Sequence, residues 1–205
     1  MDYLTFKQRF FELGCFNNNQ VFAWYPAFDR NNLGRWTKKG LLLRLKRGYY
    51  TFPEYKARSG YAYFFANCMY RPSYISLHAA LSFYGIIPES VVQITSVTSL
   101  KTALFVNNIG QFTYKSVKPA LMFGYDPRLI ADERSVNFAQ PEKALLDLLY
   151  LYPEYKTEKH MSDLRFDEDF LHDEMNMGRL EQDVAKFENS ALEQRFRTFC
   201  KVYEL

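Results

Sequence analysis

The apolar residues of the first sixty positions repeat in two periods, first that of a helix and then that of a strand. Steps of three and four residues between apolar side chains predict short helices, which cover residues 2–13, 20–25 and 29–39. A step of two follows and predicts a strand, with Leu41, Leu43 and Leu45 on one side and Leu42, Arg44 and Lys46 on the other. Lys46-Arg47-Gly48 predicts a turn, after which residues 49–52 return as a second strand.

The third predicted helix has a cationic face directly before this hairpin. At about 100° per residue, Leu33, Trp36 and Thr37 share one face. The opposite face carries Asn31, Arg35, Lys38 and Lys39. A cationic helix followed by a basic-tipped hairpin is typical of a winged helix-turn-helix, in which the helix enters a major groove and the hairpin tip reaches the phosphate backbone. We therefore predict an N-terminal winged helix-turn-helix DNA-binding domain over residues 1–60.

The pattern of residues 61–205 predicts a second domain of α+β class. An aromatic helix over 61–70 and a helix capped by Ser76 come first. Strand candidates then follow at 91–97, 101–106, 111–117, 121–125 and 136–138. Their short connections favour a mostly antiparallel sheet. A proline-started helix over 141–151 and a last helix opened by a capping box at 190–193 complete the prediction, so the C-terminal part is expected to be helical.

Charge is distributed unevenly along the chain, whose formal net charge is +3. Residues 1–60 hold eleven Lys and Arg against four Asp and Glu, whereas the remainder holds fifteen against nineteen. This asymmetry indicates that one half meets a polyanion and the other does not. The acidic C-terminal helices have two interpretations, a solvated surface or a face that binds a basic protein and keeps DNA at the other end. A hydrophobic content of 48% excludes a disordered chain.

The cysteines and the hydropathy pattern bear on the cellular compartment. Cys15, Cys68 and Cys200 lie far apart, and no pair has the spacing of a metal site or a redox motif. An odd number of cysteines without a signal peptide favours a reducing cytoplasm. No apolar run approaches the roughly 20 residues that a membrane helix needs. We expect a cytoplasmic protein without metal, cofactor or membrane partner.

The sequence offers few residues for catalysis. Neither a nucleophile elbow nor a phosphate-binding glycine loop is present, and no metal spacing involves the histidines His78, His160 and His172. One enzyme alternative is a Mg²⁺-dependent nuclease that uses Glu154 and Lys156 with Asp147 or Asp132. Such carboxylates belong at strand ends, however, and Glu154 follows a proline after a predicted helix. We therefore expect that the protein is not an enzyme.

The basic N-terminal segment contains the predicted DNA-binding residues, which are Asn31, Arg35, Lys38, Lys39, Arg44, Lys46 and Arg47. Asn31 and Arg35 are the candidates for base edges, because amide and guanidinium groups match adenine and guanine. Lys46 and Arg47 are expected to contact phosphates. If most of the cations make contact, counterion release gives a slope of log affinity against log salt of roughly −4 to −5. A basic hairpin also fits an A-form RNA backbone.

Several segments resemble those of AbiEi-type antitoxins. Residues 40–50, which read GLLLRLKRGYY, are similar to the wing of that family. The similarity continues through further segments in the same order, at residues 74–89, 94–98, 112–114 and 141–147. It covers residues 1–155 and is most specific at residues 76–89.

The resemblance implies a component of a bacterial type IV toxin–antitoxin system. The winged helix would bind inverted repeats in double-stranded operator DNA and repress its own operon. The second domain would antagonise a nucleotidyltransferase toxin, directly or indirectly, and would support self-association on DNA. An alternative from the residues alone is a protein-interaction module whose basic surface is incidental.

Overall fold

The computed structural model describes residues 1–89 and 92–205 as a mixed α+β structure with helices at both ends. Residues 1–52 are referred to below as the N-terminal module. In chain order its elements are α1 (Tyr3–Phe10), β1 (Cys15–Asn17), α2 (Asn18–Trp24), α3 (Asn31–Lys38), β2 (Leu43–Lys46) and β3 (Tyr49–Thr51). The strands form an antiparallel sheet in the order β1-β3-β2.

Aromatic rings form the core of the N-terminal module. Phe6 of α1 is fully buried, and its ring centre lies 4.8 Å from that of Trp36 in α3 and 5.5 Å from that of Phe28. Such pairs stabilise a core beyond the area that they bury. The polar residues between the helices set the helix ends: Asn17 and Gln20 form a capping box at the start of α2. The three predicted helices are therefore present, although the first gives way to a 3₁₀ turn after Phe10.

Two details of the N-terminal module differ from the sequence prediction. Strand β1 was not predicted, because its three residues are too few to show a period. The first strand of the hairpin begins at Leu43 rather than Leu41, because the N–H groups of Leu41 and Leu42 both donate to the Trp36 carbonyl at the end of α3. The register also shifts between Arg44 and Lys46, which breaks the predicted alternation and buries Leu42 together with Leu45.

The rest of the described chain contains a larger sheet and further helices. Its first elements are α4 (Tyr61–Met69), β4 (Ser73–Ile75), α5 (Leu77–Phe83), β5 (Ile94–Thr98), β6 (Ala103–Val106) and β7 (Gln111–Ser116). Its last elements are β8 (Tyr125–Ile130), β9 (Arg134–Ala139), α6 (Pro141–Leu151), α7 (Glu158–Ser162), α8 (Glu168–Asp173), α9 (Met177–Ala185) and α10 (Ser190–Val202).

The larger sheet has the order β6-β7-β5-β4-β9-β8. Within the described residues, three neighbouring pairs are antiparallel, and two, β5 with β7 and β4 with β9, are parallel. The predicted mostly antiparallel sheet is confirmed, with parallel pairs that local patterns did not indicate. The strand predicted at 121–125 is wrong, since a 3₁₀ turn ends at Leu121 and β8 begins at Tyr125. The strand predicted from Val91 is described from Ile94, and residue 91 lies outside the described residues.

A buried polar network joins β4 to α6. The carboxylate of Asp147 accepts hydrogen bonds from the Tyr74 hydroxyl at 2.9 Å and the Ser76 hydroxyl at 2.8 Å, and it forms an ion pair with Lys143. The side chains of Lys143 and Asp147 have no exposed surface. Because a buried charge is costly unless it is paired, these groups hold the sheet and the helix in one arrangement.

Two predicted helix caps are made by other residues. Ser76 precedes α5, but its hydroxyl donates to Asp147, and Thr95 of β5 accepts the N–H of Ala79 at 3.1 Å instead. At α10, Asn189 rather than Ser190 accepts a hydrogen bond from the N–H of Leu192. Both helices begin close to the predicted positions, since a cap on a neighbouring residue or strand satisfies the same N–H groups.

Helix α4 lies between the N-terminal module and the larger sheet. Tyr61 at its first turn packs on Tyr55, with 4.7 Å between ring centres, and the Tyr114 hydroxyl of β7 donates to the Ala66 carbonyl at 2.8 Å. The buried apolar residues of the described chain form one connected cluster from Phe6 to Tyr203. None of the described helices has both the length and the apolar character for crossing a bilayer.

Candidate nucleic-acid interface

Helix α3 is held by one face against the aromatic core of the N-terminal module. Leu33 and Trp36 are buried, and the Trp36 ring packs on Tyr3, whose hydroxyl donates to the Leu41 carbonyl at 2.9 Å. The Thr37 hydroxyl donates to the Leu33 carbonyl at 2.8 Å, which satisfies it within the helix. The predicted division of α3 into an apolar and a polar face is therefore confirmed in the structure, because the apolar face is buried and the polar face lies in solvent.

The exposed face of α3 and the hairpin together carry most of the predicted DNA-binding residues. Those that are exposed are Asn31, Arg35, Lys38, Lys39, Arg44 and Arg47. Within the part of the chain that the structure describes, Lys38, Lys39, Arg44 and Arg47 take part in no ion pair and lie over no aromatic ring. This set of four is called the unpaired basic cluster below. Cations that lack an intramolecular partner remain available to an external anion.

Arg35 differs from the unpaired basic cluster because it has partners of its own. Its Nη2 donates to the Asp29 carboxylate at 2.8 Å and to the Asn32 side-chain oxygen at 2.6 Å. Asp29 also accepts a hydrogen bond from the N–H of Asn31 at 2.9 Å, so it serves the first turn of α3. The pair is exposed on both sides, and an exposed pair contributes little to stability. Arg35 is therefore positioned by Asp29 and can exchange this carboxylate for another acceptor.

Lys46 lies apart from the other predicted contacts, in a cage of three aromatic rings. Its Nζ is 4.5 Å from the ring centre of Tyr49, 5.1 Å from that of Tyr70 and 4.9 Å from that of Phe105. Burial lowers the pKa of Lys46 below its usual value. Attraction between a cation and ring faces stabilises this position. Lys46 thus connects the hairpin to Tyr70, directly after α4, and to Phe105 in β6, whereas Arg47 at the adjacent turn is exposed.

A second contact fixes the hairpin against the larger sheet. The side-chain amide of Asn107, in the turn after β6, donates to the Leu45 carbonyl of β2 at 2.8 Å. In the turn of the hairpin, Gly48 has a φ of 80°, and its carbonyl accepts a hydrogen bond from the N–H of Asn18. A positive φ favours glycine, so this turn depends on Gly48. The orientation of the hairpin is consequently set by contacts on both sides.

Sequence reasoning missed four residues of this region: Asp29, Tyr70, Phe105 and Asn107. Asp29 precedes Arg35 by six residues, which is not a helical spacing, so no local pattern indicates the pair. The other three, Tyr70, Phe105 and Asn107, lie well beyond the end of the hairpin at Thr51 and meet it only through the fold. Asn107 and Asn108 are residues typical of a turn, but a turn signal does not show what the turn contacts.

The residues considered for nuclease chemistry do not gather in one place. Asp147 is buried with Lys143, whereas Asp132 is on the surface, where it pairs with Arg58 at 2.7 Å. Glu154 and Lys156 are exposed. Among the described residues, no group of three His, Cys, Asp or Glu side chains is placed to hold a metal ion. His78 is partly buried, with its Nε2 3.3 Å from the Tyr155 hydroxyl.

Comparison with known proteins adds no assignment. No protein-family model matches the chain. A comparison with curated proteins finds no significant match.

Proposed function

We propose that this protein is a double-stranded DNA-binding transcriptional regulator that contacts DNA through α3 and the β2–β3 hairpin. The observation that carries the proposal is the unpaired basic cluster, in which Lys38 and Lys39 at the end of α3 and Arg44 and Arg47 on the hairpin are exposed and unneutralised. Each phosphate that such a cation neutralises releases counterions and favours binding. The exposed residues of α3 supply the groups that could discriminate bases.

The element order of the N-terminal module supports a winged helix-turn-helix. In the order α1-β1-α2-α3-β2-β3, with β1 paired to β3, a third helix comes directly before a two-stranded hairpin, which is the order that a winged helix needs. In this arrangement α3 is the recognition helix, because its exposed face projects away from the aromatic core. Asn31 and Arg35 are then the base-edge contacts, and the unpaired basic cluster contacts phosphates. Lys46 is assigned to holding the wing rather than to a phosphate.

The antitoxin role is proposed on the resemblance of residues 1–155 to AbiEi-type antitoxins. Under this proposal the protein represses its own operon at inverted repeats and antagonises a nucleotidyltransferase toxin, by contact or without it. The most similar segment, residues 76–89, includes Ser76, which donates to Asp147 within another similar segment, residues 141–147. This contact gives the shared residues a role in folding. A direct test is growth rescue when the protein is co-expressed with a nucleotidyltransferase encoded beside it.

The DNA-binding proposal is tested by titrating the protein onto the DNA upstream of its gene and onto scrambled DNA of equal length, at several salt concentrations. We expect selective binding that weakens steeply with salt. Arg47→Ala should weaken binding to both DNAs and reduce the salt slope by about 1. Arg35→Ala should reduce the preference for the upstream DNA. Lys159→Ala, an exposed cation in α7, is the matched control and should change neither quantity.

Equal binding to both DNAs, or equal effects of Arg47→Ala and Lys159→Ala, would contradict this interface. A second candidate function, a protein-interaction module, is favoured by a groove of about 540 Å³ between α9 and α10. Apolar residues that include Val184 and Phe196 line it, together with the charged residues Glu181, Glu193 and Arg197. It predicts a stable complex with the product of a neighbouring gene and no selective DNA binding. The two functions are therefore separated by the same titration.

A further inference from the structure

Two cysteines that are remote in sequence meet beside the N-terminal module. Cys15 lies in β1 and Cys68 in α4, and both line a cavity of about 490 Å³ between the module and α4. Both thiols are free. Cys15 is buried and Cys68 is partly exposed, so the cavity is the route by which a small reagent reaches the pair.

The backbone brings β1 close to α4 at this position. A side chain at Gly14, which precedes Cys15, would meet the rings of Phe64 and Tyr61 at 3.2 Å. Phe64 and Cys68 are four residues apart in α4 and therefore lie on the same face of that helix. Gly14 has a φ of 67°, which directs the chain into β1 without a side chain in this narrow space. The approach of Cys15 to Cys68 is thus built into the fold.

The two thiols interact with one another and with a cation. Cys15, Cys68 and Arg71 line the same cavity, and the Arg71 Nη2 donates a hydrogen bond to the Cys68 sulfur at 3.7 Å. The Arg71 Nε donates to the Asn67 carbonyl at 3.1 Å, which holds the guanidinium in place. The neighbouring Cys15 thiol and the charge of Arg71 lower the pKa of Cys68, whereas the Cys68 thiol and burial raise the pKa of Cys15 well above its ordinary value. Cys68 is consequently the more nucleophilic partner, because the thiolate is the reactive form.

We propose that Cys15 and Cys68 form a peroxide-reactive site that closes a reversible disulfide between β1 and α4. The Cys68 thiolate attacks one oxygen of a hydroperoxide, the O–O bond breaks, and the other oxygen leaves as an alcohol, or as water from hydrogen peroxide. The resulting Cys68 sulfenic acid is attacked by the sulfur of Cys15. The S–O bond breaks, and the hydroxyl leaves as water with the proton of the Cys15 thiol. Two thiols lose two electrons, and the peroxide gains them.

The disulfide would cross-link the sheet that carries the hairpin to α4. β1 pairs with β3, which pairs with β2, and Lys46 of β2 lines the same cavity as the two cysteines. Oxidation is therefore expected to change the affinity of the protein for DNA at constant protein concentration. This expectation rests on the proposed function. Formation of the disulfide is measured separately from DNA binding. A failure of the disulfide proposal can therefore be distinguished from a failure of the DNA-binding proposal. A dithiol reductant should restore both cysteines by thiol–disulfide exchange.

The test treats the reduced full-length protein with hydrogen peroxide, blocks the remaining thiols with iodoacetamide and maps the peptides by mass spectrometry. We expect a linked Cys15–Cys68 peptide that lacks two hydrogen atoms relative to the separate peptides. Cys200 is the internal control: it is half-buried, burial raises its pKa to about 11, and it should remain alkylated. In Cys15→Ser, we expect Cys68 to stop as a sulfenic acid that dimedone traps.

The proposal is overturned if Cys15 and Cys68 remain alkylated while Cys200 is oxidised, or if all three react at one rate. It is also overturned if the linked peptide joins two protein molecules, which appears as a covalent dimer on a non-reducing gel. The wild-type measurement needs no substitution, so a variant that fails to fold leaves the test intact.

Discussion

The Lys46 ammonium lies 4.9 Å from the ring centre of Phe105, so a cation in the hairpin is held by an aromatic ring of the larger sheet. With Tyr49 and Tyr70 completing the cage, this residue fastens the hairpin rather than leaving it free in solvent. Its neighbour Arg47 is exposed. Two adjacent basic residues of the hairpin therefore have different surroundings.

Substituting Lys46 and Arg47 in turn compares the contributions of the caged and the exposed residue to the free energy of unfolding. Lys46→Ala should lower the free energy of unfolding by about 1–2 kcal/mol, because three ring contacts and the buried stem are lost. Arg47→Ala should change it by no more than about 0.5 kcal/mol. Lys46→Met keeps the apolar stem and isolates the contribution of the charge. Urea unfolding followed by circular dichroism measures each value, and equal stability of Lys46→Ala and Arg47→Ala would show that the cage does not stabilise the fold.

Asp29 is expected to restrain Arg35. Asp29→Asn keeps an oxygen that can accept the Asn31 N–H but removes the charge that pairs with Arg35. Stability should change by less than about 1 kcal/mol, because the pair is exposed. The preference for the upstream DNA over the scrambled DNA should rise, since the Arg35 guanidinium no longer has to give up a carboxylate to reach a base edge. Asp2→Asn, at the cap of α1, removes an equal charge elsewhere and serves as the control. An identical preference in both variants would contradict the restraint.

Removal of Asp147 should be severely destabilising. Asp147→Ala leaves Lys143 charged, buried and unpaired and removes the acceptor of Tyr74 and Ser76, for an expected cost of about 3–5 kcal/mol. Ser76→Ala should cost only about 1–3 kcal/mol, because Tyr74 and Lys143 still satisfy the carboxylate. The exposed pair of Glu158 and Lys201 provides the comparison, and Glu158→Ala should cost less than about 1 kcal/mol. Denaturant unfolding measures all three.

Stability is expected to fall as the pH decreases through the titration range of histidine, partly because of His78. Burial lowers the pKa of His78 below its ordinary value of 6.5. His78 is therefore protonated more readily in the unfolded chain than in the folded one. Well above pH 6.5 it is neutral in both states and does not affect the free energy of unfolding, and below pH 6.5 its protonation lowers that free energy increasingly. His78→Gln should lessen the loss of stability between pH 7.5 and 5.5, pH values at about one unit either side of the ordinary pKa. The exposed His172→Gln is the control, and a pH dependence unchanged by His78→Gln would contradict this assignment.

Two glycines should respond to alanine in opposite directions. Gly60 has a φ of 76°, and an added Cβ would lie 2.5 Å from the Ile130 side chain, so Gly60→Ala should destabilise the protein by more than about 1 kcal/mol. Gly34 lies on the exposed face of α3, where an added Cβ meets no described atom within 4 Å. Gly34→Ala should stabilise by about 0.5–1 kcal/mol through helix propensity. Thermal unfolding compares the two, and a stabilising Gly60→Ala would overturn the steric argument.

The N-terminal elements could be predicted because their signals are local. Leu33 and Trp36 recur at helical spacing, so their burial and the exposure of Lys38 and Arg35 follow from one period. The hairpin was predicted for the same reason, although its first strand starts later than expected. The parallel pairing of β5 with β7 had no such signal, because the apolar pattern of a strand does not show which other strand it pairs with.

The sequence by itself determined the periods, the α+β class and the accumulation of positive charge in residues 1–60, since each depends on residues close together in the chain. Only the tertiary structure decided which of those charges are available. It placed Asp29 on Arg35, enclosed Lys46 between the rings of Tyr49, Tyr70 and Phe105, and brought Cys15 and Cys68 into one cavity. The physical reason is that ion pairs, ring contacts and thiol chemistry act over a few ångströms in space, and sequence separation does not report that distance.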